Sequence, residues 1–156
     1  MARYTDGNLL NSSTVAVAVS NSPPGETRFE DSDAAVSYTA GWTRDSTSKP
    51  WSGGTAALSM TAGAQATFTF TGTAASWISF RGPQTGIARV SVDGVFVAEI
   101  DTFSTFEQVQ AMVFRTTALA ATTHTLMIEV TGRKNSASAG TYIMVDAFDD
   151  APAPTG

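Results

Sequence analysis

Strict alternation of polar and apolar residues is the feature that most constrains the fold of this chain. Residues 65–71 read Gln-Ala-Thr-Phe-Thr-Phe-Thr, and residues 86–92 and 95–100 alternate in the same way on either side of Asp93-Gly94. A period of two places successive side chains on opposite faces of a β-strand, and Asp-Gly is typical of a two-residue hairpin turn. These segments therefore predict antiparallel strands that each bury one face.

Further strands are predicted along the rest of the chain, about ten in all. They are residues 28–30, 36–38, 55–60, 75–80, 109–116, 123–131 and 141–148. Gly, Pro, Ser, Asn and Asp separate the strands, and no window of about 11 residues carries the apolar stripe of a helix. At most one helical turn is expected, near residues 104–108. The chain is predicted to be all-β, an antiparallel β-sandwich or jelly roll with an N-terminal arm.

Local composition divides the chain into three parts. Residues 21–25 read Asn-Ser-Pro-Pro-Gly, which is typical of a linker, and residues 150–156 resemble a flexible tail. The compact sandwich is therefore predicted over residues 26–149, after an N-terminal arm or extra strand formed by residues 1–25. The alternating run at residues 14–19 suits strand addition to another subunit and equally suits a first strand of the same sandwich.

Charge and composition exclude several classes of function. The chain has 156 residues and a net charge of −5, which argues against nucleic acid and anionic membrane surfaces as partners. It has no cysteine and one histidine, so disulfides, thiolate metal sites and a multi-histidine metal site within one chain are excluded. No apolar run approaches about 18 residues, so no membrane insertion is expected. The N-terminal residues do not resemble a signal peptide, and none is predicted.

A series of motifs, in fixed order, resembles one family of β-sandwiches. The motifs are Arg-Phe-Glu-Asp-Ser-Asp at 28–33, Val-Ser-Tyr-Thr-Ala-Gly-Trp at 36–42, and the segments 52–55, 66–73, 90–94, 124–130 and 145–148. Together they resemble the galactose-binding-like jelly-roll domains of bacterial extracellular proteins, over about residues 26–149. The resemblance implies a β-sandwich without catalysis, which in many members serves as a carbohydrate-binding module attached to an enzyme or an adhesin.

Few residues are candidates for catalysis. His124 is the single histidine and stands at the entrance to a strand, where a turn or edge position is expected. The pairs Asp31/Asp33 and Asp149/Asp150 lie at strand ends, where carboxylates commonly serve turns or bind ions. Nucleophilic catalysis needs a base beside the nucleophile, and this pattern supplies none. The chain is therefore predicted not to be an enzyme.

Acidic residues on the first and last predicted strands suit a structural calcium ion. Calcium takes six to eight oxygen ligands from carboxylates and carbonyls. The resemblance implies that the first and last strands lie near each other, and that Glu30 and Asp146 are the metal ligands. The alternative is that these carboxylates cap turns or pair with Arg28 and Arg133.

Aromatic and long polar side chains predict a glycan site in the loops. Sugar binding needs flat aromatic faces and a few planar hydrogen-bonding groups. Trp51 lies in a loop and is predicted to be the exposed platform, whereas Trp42 is expected in the core. Trp77 is expected either on an exposed sheet face or in a strand buried on both sides. The accompanying polar residues are predicted to be Arg81, Gln84, Arg133, Lys134 and Asn135; the alternative is that they pair with the acidic excess.

Two functions of different classes fit the sequence. The first is a non-catalytic, carbohydrate-binding-like module that acts outside the cell on a glycan or polysaccharide. The second is a phage virion structural protein, a capsid decoration or tail appendage, which forms a homo-oligomer or joins a capsid or tail lattice through residues 1–25. The ordered motifs favour the first function, and the arm and the missing signal peptide favour placement on a virion surface.

Overall fold

A computed structural model describes residues 25–152, in which twelve strands are joined by loops and one 3-10 turn at Ser52–Gly54. The strands are β1 (Thr27–Glu30), β2 (Val36–Tyr38), β3 (Thr43–Asp45), β4 (Ala56–Ser59), β5 (Gln65–Gly72), β6 (Ala74–Arg81), β7 (Ile87–Val92), β8 (Val95–Asp101), β9 (Gln108–Thr116), β10 (Thr122–Arg133), β11 (Ile143–Val145) and β12 (Ala147–Ala151). A search of the same residues finds no helix with the length and apolar character to cross a membrane.

The strands form two main antiparallel sheets and one small sheet. The four-stranded sheet has the order β1-β12-β6-β9, and the five-stranded sheet has the order β2-β5-β10-β7-β8. The small sheet has the order β11-β4-β3. The prediction of an all-β antiparallel sandwich is confirmed. The predicted N-terminal arm falls almost entirely on residues 1–24, which lie outside the described residues.

The main core lies between the two large sheets and is centred on Phe68. Its ring is fully buried and stacks on Phe148 of the opposite sheet, with ring centroids 4.8 Å apart and planes 8° apart. Phe29 and Phe70 lie against the same ring at 5.1 and 5.2 Å. The Thr-Phe alternation of β5 therefore folds as expected, because its phenylalanines point into the sandwich while Thr69 faces solvent.

A second, smaller core attaches the three-stranded sheet to the four-stranded sheet. It contains Trp51, Ala56 of β4, Phe80 of β6 and Met144 of β11. Because this core covers the outer side of β6, that strand is buried on both faces. Trp77 lies in the main core and has no exposed surface. The Trp77 indole N–H is satisfied by the Met144 carbonyl at 3.1 Å. The alternative that β6 is buried on both sides is the one observed.

Three local predictions can be compared with the structure, and one of them is confirmed. The Asp93-Gly94 turn forms as expected, with φ of 53° and 81° between β7 and β8. The helical turn expected near residues 104–108 is wrong, since this stretch is a loop that runs into β9. The predicted tail begins two residues too early, because β12 continues to Ala151 and pairs Asp150 with Thr27 of β1.

Candidate functional site

A cavity of about 460 Å³ opens beside the small core. Its apolar wall comes from the small core, and its polar groups come from the end of β3 and from loops that are distant in sequence. The lining residues are Asp45, Ser48, Lys49, Trp51, Leu58, Phe80, Pro83, Gln84, Glu107, Tyr142 and Met144. Apolar and aromatic walls with a few convergent polar groups are the usual composition of small-molecule sites, and the volume lies in their usual range.

Trp51 forms a wall of this cavity and is only 5% exposed. Its ring meets Phe80 edge to face, with centroids 5.8 Å apart, and its indole N–H donates to Asp45 Oδ2 at 2.5 Å. The prediction that Trp51 is an exposed platform is therefore wrong. The physical reason is that the loop before the 3-10 turn folds down onto β6, which buries the ring and satisfies its one polar atom.

Asp45 is held rigidly at the end of β3. Its Oδ2 accepts hydrogen bonds from the Ser48 hydroxyl at 2.6 Å, from the Ser48 backbone N–H at 3.3 Å and from Trp51. The hydrogen bonds from Ser48 and Trp51 lower the pKa of this carboxyl, because they stabilise its charged form. The cavity therefore presents a fixed carboxylate at neutral pH.

Lys49 and Glu107 form an ion pair at the cavity. The Lys49 ammonium lies 2.7 Å from Glu107 Oε1, and it also lies 5.4 Å from the centre of the Phe80 ring. The pair joins the loop after β3 to the loop before β9. Both side chains are partly exposed, so the pair is open to exchange with a charged ligand.

The structure brings two of the six predicted binding residues into the cavity. Trp51 and the exposed Gln84 both line it. Arg81 and Asn135 instead meet at Asp101, where Arg81 donates to the backbone carbonyl at 3.1 Å and Asn135 donates to Oδ2 at 3.0 Å. This second group of polar side chains is not part of the cavity lining.

Arg133 and Lys134 are held by partners of their own. Arg133 makes an ion pair with Glu99 of β8, and the Lys134 ammonium donates to the Ser138 carbonyl at 2.8 Å. For Arg133 the observed contact is the one that the alternative reading expected, pairing with the acidic excess. Neither residue lines the cavity.

Sequence reasoning missed the polar groups that define the cavity. Asp45 ends a three-residue strand, Thr-Arg-Asp, which has no apolar alternation to reveal it. Glu107 lies in a loop 62 positions away from Asp45, and no local pattern shows that the two share a cavity. The one local indication of the cavity was Lys49, a charged residue two positions before Trp51 in the same loop.

A pair of carboxylates, Glu30 and Asp146, lies behind the cavity wall. The Ser52 backbone N–H donates to Asp146 Oδ1 at 2.9 Å, and the Ser52 hydroxyl donates to Glu30 Oε2 at 3.1 Å. The other two oxygens, Glu30 Oε1 and Asp146 Oδ2, are buried and have no hydrogen-bond partner in residues 25–152. Burial raises the pKa of Asp146 to about 7, and the nearby Glu30 adds to this shift.

The arginines named as alternative partners make no hydrogen bond to either carboxylate. Arg28 makes a two-pronged ion pair with Asp149, at 2.6 and 2.8 Å, and donates to the Ser52 hydroxyl oxygen at 3.3 Å. Its charge is close enough to favour the ionised form of Asp146, but it does not bond to either carboxylate of the pair. Arg133 is engaged by Glu99. Two buried carboxylate oxygens thus stay unpaired, which is costly unless a proton or a cation joins them. Residues 25–152 contain no cluster of three or more metal-ligating side chains, so backbone carbonyls would have to complete a cation's shell.

His124 takes a structural position, as its place at a strand entrance suggested. It is 8% exposed, and its Nδ1 lies 2.7 Å from Asp93 Oδ2 while its Nε2 lies 2.7 Å from the Ala120 carbonyl oxygen. These contacts fasten the β7–β8 hairpin turn to the start of β10. The residue is not among those that line the cavity.

Comparison with known proteins places this fold among carbohydrate-active proteins. No family model matches the chain. A curated relative, the A type blood N-acetyl-α-D-galactosamine deacetylase of Flavonifractor plautii, is 34% identical over 99 residues. The match covers 64% of this chain and 13% of the deacetylase, so the chain spans only a small part of that protein.

Solved structures with the same fold are also parts of larger enzymes. A two-domain esterase active on acetylated mannans matches with a TM-score of 0.62 and 16% identity, over 92% of this chain and 41% of the esterase. A Paenibacillus xanthan lyase matches with a TM-score of 0.57 and 19% identity, over 78% of this chain and 12% of the lyase. The GH26-CBM35 β-(1,4)-mannanase of Podospora anserina has a TM-score of 0.50 and 18% identity, over 86% of this chain and 29% of the mannanase. At these identities the likeness shows the fold.

These relatives correct one prediction and leave another without support. The prediction that the chain is not an enzyme is contradicted, since the relatives are a deacetylase, an esterase, a lyase and a mannanase. None of the four is a virion protein, so the alternative of a capsid decoration or tail appendage gains no support. The chain is a β-sandwich of the kind that occurs in carbohydrate-active proteins.

Proposed function

We propose that this chain is the carbohydrate-binding sandwich of an extracellular carbohydrate-active enzyme, and that the cavity beside Trp51 is its glycan site. The observation that carries the proposal is the joining of aromatic walls and fixed polar groups in one cavity, on a fold shared with parts of carbohydrate-active enzymes. The deacetylase match supports glycans that contain galactose-type amino sugars as the first ligands to test.

The chemistry of the cavity suits a sugar. The partly exposed ring of Tyr142 offers aromatic surface against which the C–H face of a sugar ring can pack, while the buried Trp51 and Phe80 form the apolar wall behind it. The Asp45 carboxylate accepts hydrogen bonds from hydroxyl groups, and the Gln84 amide both donates and accepts. Because Asp45 is already held by Ser48 and Trp51, little side-chain freedom is lost when it binds a ligand.

A glycan array with the purified chain, followed by calorimetric titration of each hit, tests this proposal. The variants Asp45→Asn and Gln84→Ala change the cavity without removing a buried apolar group. Arg133→Gln is the matched control, because Arg133 is an exposed polar residue outside the cavity. We expect at least one glycan hit, weaker binding in both cavity variants and unchanged binding in the control.

Three outcomes of the same experiment would contradict the proposal. Silence of the wild-type chain across the array would argue against the proposal. Loss of binding in Arg133→Gln, with full binding in Asp45→Asn and Gln84→Ala, would place the site at Arg133 and away from the cavity. Retention of the hits by all three variants would also remove the cavity as the site.

We further propose that Glu30 and Asp146 hold a structural calcium ion. Their two unpaired buried oxygens support this, because carboxylate oxygens in need of a positive partner are the ligands that calcium prefers. Ser52 bonds to both carboxylates and directly follows Trp51, so a cation there would brace the 3-10 turn behind the cavity wall.

A further inference from the structure

The charged groups of the cavity are unequal in number. Its lining contains two carboxylates, Asp45 and Glu107, and one ammonium, Lys49. No arginine of residues 25–152 lines it, and Arg81 and Arg133 are bonded to Asp101 and Glu99 elsewhere. The described residues that line the cavity therefore carry a formal charge of −1 beside its apolar wall. The charged side chains are partly exposed, so their attraction for a cation is modest and falls with added salt.

Lys49 is already matched by a partner, so the excess charge belongs to Asp45. The Lys49 ammonium lies 2.7 Å from Glu107 Oε1 and faces the Phe80 ring, which stabilises it in its present position. The three hydrogen bonds from Ser48 and Trp51 to Asp45 all fall on Oδ2. A ligand would engage the lone pairs of the carboxylate that its hydrogen bonds to Ser48, Trp51 and the Thr47 backbone leave open.

We infer that the cavity selects sugars that carry a free, protonated amine, such as galactosamine, over neutral, N-acetylated and acidic sugars. This inference rests on the proposed function of the cavity as a glycan site. An ammonium group can form a charge-assisted hydrogen bond to Asp45, which is stronger than the bond from a neutral hydroxyl. It can also lie against the partly exposed ring of Tyr142.

Neutral, N-acetylated and acidic sugars cannot form the charge-assisted hydrogen bond that an ammonium group makes to Asp45. An N-acetyl group is neutral and larger, so it gains no charge-assisted bond at Asp45. A uronic acid adds a second negative charge to a cavity that is already negative, and it would have to displace Glu107 from Lys49 to find a partner. A neutral hexose keeps the aromatic contact and its hydroxyl bonds, so it binds, but without the amine's added attraction.

A series of charge variants tests the inference quantitatively. Lys49→Gln brings the formal charge of the cavity to −2, and Glu107→Gln and Asp45→Asn each bring it to 0. The dissociation constants of galactosamine, galactose, N-acetylgalactosamine and galacturonic acid are measured at about pH 6, where an amino group is protonated and a carboxylate ionised. Thermal unfolding of each variant shows that it is folded.

We expect the wild-type chain to prefer galactosamine to galactose, with galacturonic acid weakest. The preference is measured as the dissociation constant of galactose divided by that of galactosamine. This ratio should rise in Lys49→Gln and fall in Glu107→Gln and Asp45→Asn, by about two- to five-fold per charge. The preference should shrink in high salt, because the charges are partly exposed. Arg133→Gln, outside the cavity, should leave the ratio unchanged.

The two possible failures are distinguishable. If galactose and N-acetylgalactosamine bind as well as galactosamine, or if the ratio does not follow the charge series, the inference is overturned while the glycan site stands. If none of the sugars and no glycan on the array binds, the proposed function fails and the inference fails with it.

Discussion

The indole N–H of Trp51 donates a hydrogen bond of 2.5 Å to Asp45 Oδ2, and this contact joins the end of β3 to the loop that covers β6. The same tryptophan packs on Phe80 and is almost completely buried. Trp51 thus has two tasks, since it completes the small core with one face and forms a wall of the cavity.

Replacement of Trp51 should therefore destabilise the protein. Trp51→Ala removes a buried ring and leaves a void, which costs about 3–5 kcal/mol in the free energy of unfolding. Trp51→Phe should cost less, because it keeps most of the packing. Urea unfolding measures both values. Equal stability of Trp51→Ala and the wild-type chain would mean that the ring is exposed after all.

Calcium should stabilise the protein through Glu30 and Asp146. A ligand that binds the folded state alone adds about 2.7 kcal/mol at a concentration 100-fold above its dissociation constant. We expect the melting temperature to rise with added calcium, to fall back with a chelator, and to show no response in Asp146→Asn. Asp33→Asn is the matched control, since Asp33 is an exposed acidic residue. An unchanged melting temperature at millimolar calcium would remove the proposed ion.

Replacement of Gly53 should destabilise the protein, because Gly53 lies close to Glu30. It has φ of 65°, and a Cβ built on it would lie 2.7 Å from Glu30 Cδ. Gly53→Ala is expected to destabilise the fold by about 1–3 kcal/mol. It should also weaken the calcium response.

Gly54→Ala provides the control for that variant. Gly54 also has a positive φ, of 95°, but a Cβ there meets nothing within 4 Å. It should therefore show the cost of backbone strain alone and keep the calcium response. If the two variants respond to calcium alike, the contact between Gly53 and Glu30 has no part in the site.

His124 should make stability depend on pH. Its two ring nitrogens face the Ala120 carbonyl and the Asp93 carboxylate, both of which can only accept hydrogen bonds, so both nitrogens must carry protons. The bond to Ala120 and then the bond to Asp93 raise the pKa of His124 above 6.5. Since the raised pKa belongs to the folded state, this contribution is complete below about pH 6.5 and is lost as pH rises through the folded-state pKa.

The free energy of unfolding, measured between about pH 5 and 9, tests this for the wild-type chain and His124→Gln. The difference between the two should be largest at low pH and should decrease as the histidine loses its proton. A constant difference across the range would show that His124 is neutral in the folded protein.

The strands were predictable because each obeys a local rule. β5 alternates Thr and Phe since one of its faces meets the core, and β7 and β8 join at Asp93-Gly94 because two residues with positive φ suit a tight hairpin. β3 escaped prediction because its three residues are polar and it pairs only at the edge of the small sheet.

The cavity was not predictable, because it depends on contacts between distant segments. Asp45, Glu107 and Tyr142 come together only when the small sheet packs on the outer side of β6. Trp51 was misread for the same reason, since a loop sequence does not show which surface the loop will cover. Glu30 and Asp146 were predicted as metal ligands from a family resemblance, and in the structure both carboxylates bond to Ser52.

The most direct test of the central claim is a nuclear magnetic resonance titration of the ¹⁵N-labelled chain with a glycan from the array. The Trp51 indole N–H signal, assigned with Trp51→Phe, and the Gln84 side-chain amide signal should both shift and saturate together. The Asn135 side-chain amide should stay in place, because it is bonded to Asp101 away from the cavity. Shifts at Asn135 with Trp51 and Gln84 unmoved would contradict the account.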